Sequence, residues 1–222
     1  MIDWDCIETV LLDMDGTLLD LHFDNYFWNS YLPKRYAQVH GQREEDARSL
    51  LISRFEAHQG TLEWYSVDYW SEQLQLDVPS LKHEIKHLIS VRPFVEEFLR
   101  SLREHGKALY LVTNAHRQSL EIKMACTGLD RWFDAVVVSH DLHLPKENPE
   151  FWQALNQLHP FNPQNTLLID DAEPVLKSAQ LHGIAHLLTL LQPDSRRQRR
   201  LDTRFPGIHH FDEIMPLVPE PF

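Results

Sequence analysis

Five short apolar runs divide the sequence at intervals that suit strands alternating with helices. They are rich in Leu and β-branched residues, and each is followed by a polar or glycine-containing turn and then a longer amphipathic stretch. The runs are residues 7–12, 107–112, 134–139, 166–169 and 185–190. Alternation of this kind is typical of a parallel sheet covered by crossover helices. The sequence therefore predicts an α/β fold with a Rossmann-like parallel sheet as its core.

About ninety residues without a strong strand pattern separate the first run from the second. They contain the stretches NYFWNSYLPKRYAQVH, REEDARSLLISRFEAH and LEWYSVDYWSEQL, which indicate helices. We predict an all-α cap at residues 22–89, inserted after the first strand of a core formed by residues 1–21 and 90–222. The stretch RPFVEEFLRSLREHG then predicts a crossover helix closed by Gly106.

Composition places the chain among aromatic-rich globular proteins. Of its 222 residues, 43% are hydrophobic and six are Trp, which is ample material for a packed core. The formal net charge of −12 argues against a nucleic-acid polymer as partner, because such binders need a surplus of Lys and Arg on one face. The sequence shows neither a signal-peptide pattern nor an apolar run of membrane-spanning length, so we expect a cytoplasmic protein without a membrane partner.

Two minor features are expected to be structural. Cys6 and Cys126 have no metal-ligand spacing and are predicted to be buried thiols. The basic stretch RRQRR at residues 196–200 is predicted to be a solvated turn or helix.

Polar side chains follow the ends of four predicted strands. They are Asp13 and Asp15 in LLDMDGTLL, Thr113 and Asn114 in LVTN, Lys146 in PKENPE, and Asp170 and Asp171 in LLIDD. Because the carboxyl ends of parallel strands meet at one edge of a sheet, we expect these side chains to converge. Uncompensated carboxylates would repel one another, so a hard divalent cation with oxygen ligands, above all Mg²⁺, is the expected cofactor. Lys146 and Thr113 add the positive charge and the hydroxyl that a bound phosphate needs.

Each of these residues also has a purely structural interpretation. Asp13 or Asp15 alone could form an Asx turn, and Thr113 with Asn114 could cap the following helix. Lys146 alone could be a surface lysine, and the acidic pair could cap a helix that begins near Glu173. Their joint placement at successive strand ends favours a metal and phosphate site.

The order of these residues resembles that of the haloacid dehalogenase-like hydrolases. That family has an Asp-x-Asp-Gly-Thr signature, a Thr or Ser after the second strand, a Lys, and an acidic pair. DMDGT, Thr113, Lys146, and Asp170 with Asp171 match these motifs in order. The usual Lys-Pro-x-Pro stretch instead reads Lys-Glu-Asn-Pro at residues 146–149. The resemblance implies this family's fold, a Rossmann-like core with an inserted helical cap.

The resemblance also implies a role for each residue. Asp13 would be the carboxylate nucleophile that forms an aspartyl-phosphate, and Asp15 the general acid and then base. Mg²⁺ would be held by Asp13, the backbone carbonyl of Asp15 and Asp171, with Asp170 either as a further ligand or behind the ligands. Thr113, the Asn114 backbone and Lys146 would hold the remaining phosphate oxygens.

Within the family, the sequence also resembles bacterial nucleotidases that act on GMP and IMP. The similarity lies in LLDMDGTLLDLHFDNYFW, WYSVDYWSEQL, LVTNAH, TGLD and PKE, which are spread over nearly the whole chain. It implies a Mg²⁺-dependent phosphomonoester hydrolase acting on purine 5′-monophosphates.

Proteins with other functions share this fold or a related one, and the motif residues are compared with the needs of each. A dehalogenase needs neither Asp15 nor the acidic pair, and a phospho-accepting receiver domain has its nucleophile on a later strand and no cap. A phosphosugar phosphatase or a phosphomutase shares every catalytic residue. A degenerate binding module is disfavoured because no motif residue is lost.

Aromatic residues of the cap recur at helical spacings, and most are expected to form its core. One or two turned toward the sheet could stack on a nucleobase. Trp64, Tyr65 and Tyr69 are the candidate substrate-binding residues.

Overall fold

The five apolar runs are strands in the computed structural model, which describes residues 2–216. Their bounds are β1 Thr9–Leu12, β2 Ala108–Thr113, β3 Ala135–Val138, β4 Thr166–Ile169 and β5 His186–Leu190. A further strand that we did not predict, β6 Gly207–Ile208, has only two residues, too few to show a periodicity. Every residue of β1 and β4 is buried, which explains why these strands are continuous apolar runs in the sequence.

Among the described residues, the six strands form one sheet in the order β3-β2-β1-β4-β5-β6, and all neighbouring pairs are parallel. Strand β1 lies at the centre, with Leu12 opposite Leu111 of β2 and opposite Ile169 of β4. The chain segments that leave these three strands therefore start at the same edge. This topology confirms the predicted α/β fold with a Rossmann-like parallel core.

Four longer helices cover the two faces of the sheet. Helices α7 Val95–Glu104 and α8 Arg117–Thr127 pack on one face, and α9 Pro149–Leu158 and α10 Glu173–His182 on the other. Residues of β1 alternate between the faces, so that Val10 and Leu12 contact the first cluster and Leu11 the second. Short 3₁₀ helices lie at Trp4–Cys6, Lys86–Leu88, Leu129–Trp132, Ser139–Leu142, Pro163–Asn165 and Phe211–Ile214.

The chain between β1 and α7 is helical, as predicted for the cap. Its helices are α1 His22–Tyr26, α2 Leu32–His40, α3 Glu44–Glu56, α4 Leu62–Tyr65, α5 Val67–Leu74 and α6 Val78–Glu84, with a π-helical turn at Phe27–Tyr31. Their buried apolar side chains form a cluster of their own, which includes Phe27, Leu51 and Trp70. This packing supports the proposed division into a cap at residues 22–89 and a core; residues 1 and 217–222 of that core lie outside the described residues.

The prediction that the cysteines are buried is wrong, because Cys6 and Cys126 are both exposed free thiols. Cys6 belongs to a short 3₁₀ helix and Cys126 to the outer face of α8, so neither reaches the apolar clusters. Within residues 2–216, no helix combines the length and the apolar character needed to cross a membrane.

Candidate active site

The predicted strand-end residues line one cavity, of about 580 Å³, between the edge of the sheet and the cap. They are Asp13, Asp15, Thr113, Asn114, Lys146, Asp170 and Asp171. A cavity of this volume is in the range of small-molecule sites.

The ammonium group of Lys146 is buried at the centre of this edge. Its Nζ donates to Asp13 Oδ1 and Asp170 Oδ2, both at 2.6 Å, and to the backbone carbonyl of Val112 at 3.0 Å. Its side chain is only 2% exposed. Lys146 is therefore no surface lysine but an ion partner shared by the ends of three strands.

Three carboxylates gather around this one ammonium group. Asp13, Asp170 and Asp171 each place a carboxylate oxygen within 4.8 Å of the others. Burial, which outweighs the opposing charge of Lys146, raises the pKa of Asp13 to about 6. Burial, together with the charges of Asp13 and Asp170, raises the pKa of Asp171 well above its usual range. The buried Oδ2 of Asp13 has no hydrogen-bond partner within the described structure. This all-oxygen, excess-negative group fits a hard divalent cation.

The turn after β1 brings Asp171 close to the backbone of Gly16. Gly16 has a φ of +83°, and a Cβ atom at this position would lie 2.7 Å from Asp171 Cγ. Glycine is thus required at position 16 for two reasons: the backbone is left-handed there, and the Asp171 carboxyl group leaves no room for a Cβ atom.

Arg200 also contacts Asp171, and the sequence analysis did not identify this residue. Its Nη1 donates to the Asp171 carbonyl at 2.6 Å, and its Nη2 lies 3.7 Å from Asp171 Oδ2. Residues 195–199 are exposed as predicted, but Arg200 returns to the sheet edge. Nothing in RRQRR distinguishes this arginine from its neighbours.

The side chain of Asp15 lies apart from the three-carboxylate group. Its Oδ2 accepts from the buried Lys123 Nζ at 2.6 Å, whereas its buried Oδ1 has no hydrogen-bond partner in the described part of the chain. Burial, which outweighs the opposing charge of Lys123, raises the pKa of Asp15 to about 6. The two acids of DMDGT thus occupy different electrostatic environments.

Thr113 and Asn114 lie at the cavity with their side chains already engaged. Thr113 Oγ1 accepts from the Ala115 backbone at 3.0 Å. Asn114 Oδ1 accepts from the Lys146 backbone, and its Nδ2 donates to Glu147 Oε2, both at 3.0 Å. The Asn114 side chain therefore binds the loop that carries Lys146 and Glu147.

Two of the three predicted substrate-binding aromatic residues, Trp64 and Tyr65, line the cavity. The Tyr65 hydroxyl donates to Glu147 Oε1 at 2.5 Å. Tyr69 is not among the cavity-lining residues of the described chain; its hydroxyl lies 2.9 Å from His58 Nε2, inside the cap. Trp28 from the π-helical turn and Phe55 from α3 also line the cavity. The sequence analysis did not single out either of them as a substrate-binding residue.

A larger residue in place of Gly16 should destabilise the fold, because the Asp171 carboxyl group lies so close to this position. We expect Gly16→Ala to destabilise the fold by about 1–2 kcal/mol from the left-handed backbone and by about 1–3 kcal/mol more from the collision. Gly183→Ala is the matched control, because Gly183 has a φ of +98° but a Cβ atom added there would have no neighbouring atom within 4 Å. Urea unfolding of both variants measures the difference, and equal losses would contradict the steric argument.

The pH dependence of the free energy of unfolding should show the effect of crowding Asp13, Asp170 and Asp171 together. A pKa of Asp171 raised above 3.8 means that the folded state binds this proton more tightly, so wild-type stability falls as the pH rises through that window. Asp171→Asn removes this linkage. In chelator, the free energy of unfolding of the variant relative to wild type should increase as the pH rises above the usual aspartate pKa of 3.8. Urea titrations at several pH values test this, and a flat difference would refute it.

Comparison with known proteins identifies the family. The pattern of the haloacid dehalogenase-like hydrolases matches residues 7–183. The chain is 37% identical over 215 residues to the GMP/IMP nucleotidase YrfG of Escherichia coli (strain K12), covering 97% of each protein. It is 27% identical over 176 residues to the pyrophosphatase PpaX of Bacillus mycoides (strain KBAB4), covering 74% of this chain and 75% of that one.

Among solved structures, the fold is similar to that of a HAD phosphatase from Thermococcus onnurineus. The TM-score is 0.78 at 20% identity, and the match covers 93% of this chain and 95% of the other. The fold, the order of the strand-end residues and the full-length similarity to the E. coli protein agree. The chain belongs to the haloacid dehalogenase-like hydrolase family.

Proposed function

We propose that this protein is a Mg²⁺-dependent phosphomonoester hydrolase that acts through an aspartyl-phosphate on Asp13. One observation carries the proposal. Asp13 and Asp15 each have one carboxylate oxygen bound to its own buried lysine, while the other oxygen is buried without a partner in the described structure. Two such oxygens in one cavity are suited to a nucleophile and a proton donor.

The first step uses Asp13 as the nucleophile. Lys146 holds Oδ1, so Oδ2 is the oxygen available to attack phosphorus. A bond forms between Asp13 Oδ2 and phosphorus, the phosphorus–oxygen ester bond breaks, and Asp15 Oδ1 protonates the departing oxygen. A group with a pKa near 6 can both give and take a proton at neutral pH.

The second step reverses the proton transfer. Asp15 takes a proton from water as that water attacks the phosphorus of the aspartyl-phosphate, and the phosphorus–oxygen bond to Asp13 breaks. Inorganic phosphate leaves and both carboxylates return to their starting state.

Lys146 stabilises the phosphoryl group through charge and position. Its three N–H bonds are already directed at Asp13, Asp170 and Val112. It therefore offsets negative charge beside the transferring group and fixes the nucleophile. Direct hydrogen bonds to phosphate oxygens are assigned to Thr113 and the Asn114 backbone.

Asp13, Asp171 and the Asp15 carbonyl would hold Mg²⁺, with Asp170 beside them, and the ion would supply positive charge against the transferring phosphoryl group. The contacts support a division between the adjacent acids. Asp170 already accepts from Lys146 and from the Ala172 backbone, one bond at each oxygen. Among the described residues, the Asp171 carboxylate has one ion pair, the 3.7 Å contact with Arg200, which favours Asp171 as a direct ligand with Asp170 behind it.

Purine 5′-monophosphates, GMP and IMP above all, are the proposed substrates. The support is the 37% identity to a protein named GMP/IMP nucleotidase and a cavity whose cap side carries Trp28, Phe55 and Trp64. Aromatic rings at this position can stack on a base, while the strand-end residues contact only phosphate and the ester oxygen.

The mechanism predicts loss of turnover when the nucleophile is neutralised. Chelation should abolish phosphatase activity and Mg²⁺ should restore it. Asp13→Asn should lower kcat by on the order of 10³-fold or more while the protein remains folded. Phosphate release from a panel of phosphomonoesters measures this, with circular dichroism as the folding control. An active Asp13→Asn protein would refute the aspartyl-phosphate.

Substrate choice should follow the 6-oxo edge of the base. A site that pairs with the 6-oxo group and the protonated N1 of GMP and IMP leaves its polar groups unpaired against AMP, which costs about 1–3 kcal/mol, or roughly 5-fold to 150-fold in kcat/KM. Comparing kcat/KM for GMP, IMP, AMP and pyrimidine monophosphates tests this.

The cap can be tested in the same assay with a matched pair of variants. Trp64→Ala, at the cavity, should raise KM for nucleotides more than Tyr69→Ala, whose ring packs inside the cap. A wild-type preference for AMP or for a sugar phosphate would overturn the proposed substrate class.

A further inference from the structure

An alternating row of four buried charges runs from the active site into the cap. Lys123 Nζ lies 2.6 Å from Asp15 Oδ2 and 2.6 Å from Asp24 Oδ2. Asp24 Oδ1 in turn accepts from Lys82 Nζ at 2.8 Å. The four residues come from the β1 turn, α8, α1 and α6, so the row joins core to cap.

The lysines of this row are buried beside aromatic rings at the wall of the cavity. The side chains of Lys82 and Lys123 are 3% and 2% exposed. Lys82 Nζ lies 4.9 Å from the Phe27 ring centroid, and Lys123 Nζ lies 5.4 Å from that of Phe23. A lysine on a helix can normally extend its ammonium group to water, so an inward, desolvated one is held there by its partners.

The contact with Asp15 is made at one oxygen only. A carboxyl group whose oxygens are both free can turn about its last torsion, whereas binding of Oδ2 fixes the direction of Oδ1. Oδ1 is the buried oxygen without a partner among the described residues, and Asp15 lines the cavity. Proton transfer requires the donor oxygen within hydrogen-bond reach of the leaving oxygen, so its direction matters.

We propose that Lys123 is a positioning residue that holds the Asp15 carboxyl group with Oδ1 directed at the ester oxygen, and that Asp24 of the cap holds Lys123 in place. This inference rests on the proposed phosphatase function and adds a residue outside the four sequence motifs. Lys123 acts through Asp15 and needs no contact with the substrate.

Two esters with different leaving groups test the role. GMP has a poor leaving group that must be protonated, whereas nitrophenyl phosphate has a good one that needs no proton. Lys123→Met should lower kcat on GMP by about a hundredfold and should change kcat on nitrophenyl phosphate far less. Lys82→Met is the matched control, because Lys82 is equally buried and contacts Asp24 but not Asp15; the ratio of the two kcat values should stay close to that of wild type.

A double variant separates positioning from a general loss of structure. If Lys123 acts through Asp15, Asp15→Asn combined with Lys123→Met should lose no more kcat on GMP than Asp15→Asn alone. Additive losses, or equal losses on both esters in Lys123→Met, would overturn the role. Asp15→Asn must itself slow GMP more than nitrophenyl phosphate, and the inference falls if it does not.

Two further outcomes are distinguishable from these. If Lys123→Met does not fold, Lys123→Gln is the second variant: it is uncharged and shorter than lysine but keeps an N–H donor, so it should show a smaller loss of kcat that is still selective for GMP. Equal loss on both esters refutes the role as before. If the wild-type protein cleaves neither ester with Mg²⁺ present, the proposed function fails and the inference falls with it. If wild type cleaves both and Lys123→Met is unselective, only the inference fails.

Discussion

The geometry of the active site depends on one buried ammonium group, that of Lys146. It joins Asp13 after β1, Val112 in β2 and Asp170 after β4, and so ties together the three central strand ends. Desolvating unpaired carboxylates would cost several kcal/mol per ion, which this lysine offsets for two of them. One ammonium group cannot neutralise three carboxylates, however. Burial, together with the charges of Asp13 and Asp170, raises the pKa of Asp171. The excess negative charge is the physical reason for proposing a divalent cation at this edge.

A second buried lysine gives Asp13 and Asp15, which are two residues apart, different surroundings. Lys146 places Asp13 among the carboxylates of the strand ends, and Lys123 draws the Asp15 side chain toward the cap instead. Burial raises the pKa of the neighbouring Asp24, but the charges of Lys123 and Lys82 outweigh it and bring that pKa down to about 2. Asp24 therefore remains charged near neutral pH and keeps Lys123 between two carboxylates. Separate lysines thus give each acid its own environment.

The site residues that could be predicted from the sequence are those whose position follows from the order of the strands in the sheet. Asp13, Thr113 and Asp170 could be brought together because parallel strands end at one edge, and the run of apolar residues marks each end. Lys123 could not be found this way: in RQSLEIKMACT it has the pattern of an ordinary helix-surface lysine, and only its tertiary partners turn it inward. Arg200 was missed for the same reason. Tyr69 was grouped with Trp64 among the candidate substrate-binding residues because helical spacing does not tell which face of the cap meets the core, but its hydroxyl contacts His58 inside the cap.

Two sets of side-chain contacts attach the cap to the core, and both include residues of the proposed active site. On one side of the cavity Asp24 contacts Lys123, which holds Asp15; on the other, Tyr65 donates to Glu147, which accepts from Asn114. Glu147 stands where the family usually has proline, so the departure from the motif supplies a cap contact that proline could not make. Because both connections end on residues of the proposed active site, a shift of the cap would move the proposed general acid, Asp15, and the Asn114 side chain together. A cap substitution can therefore change kcat without touching the substrate, and base recognition is better read from KM differences among nucleotides than from loss of turnover alone.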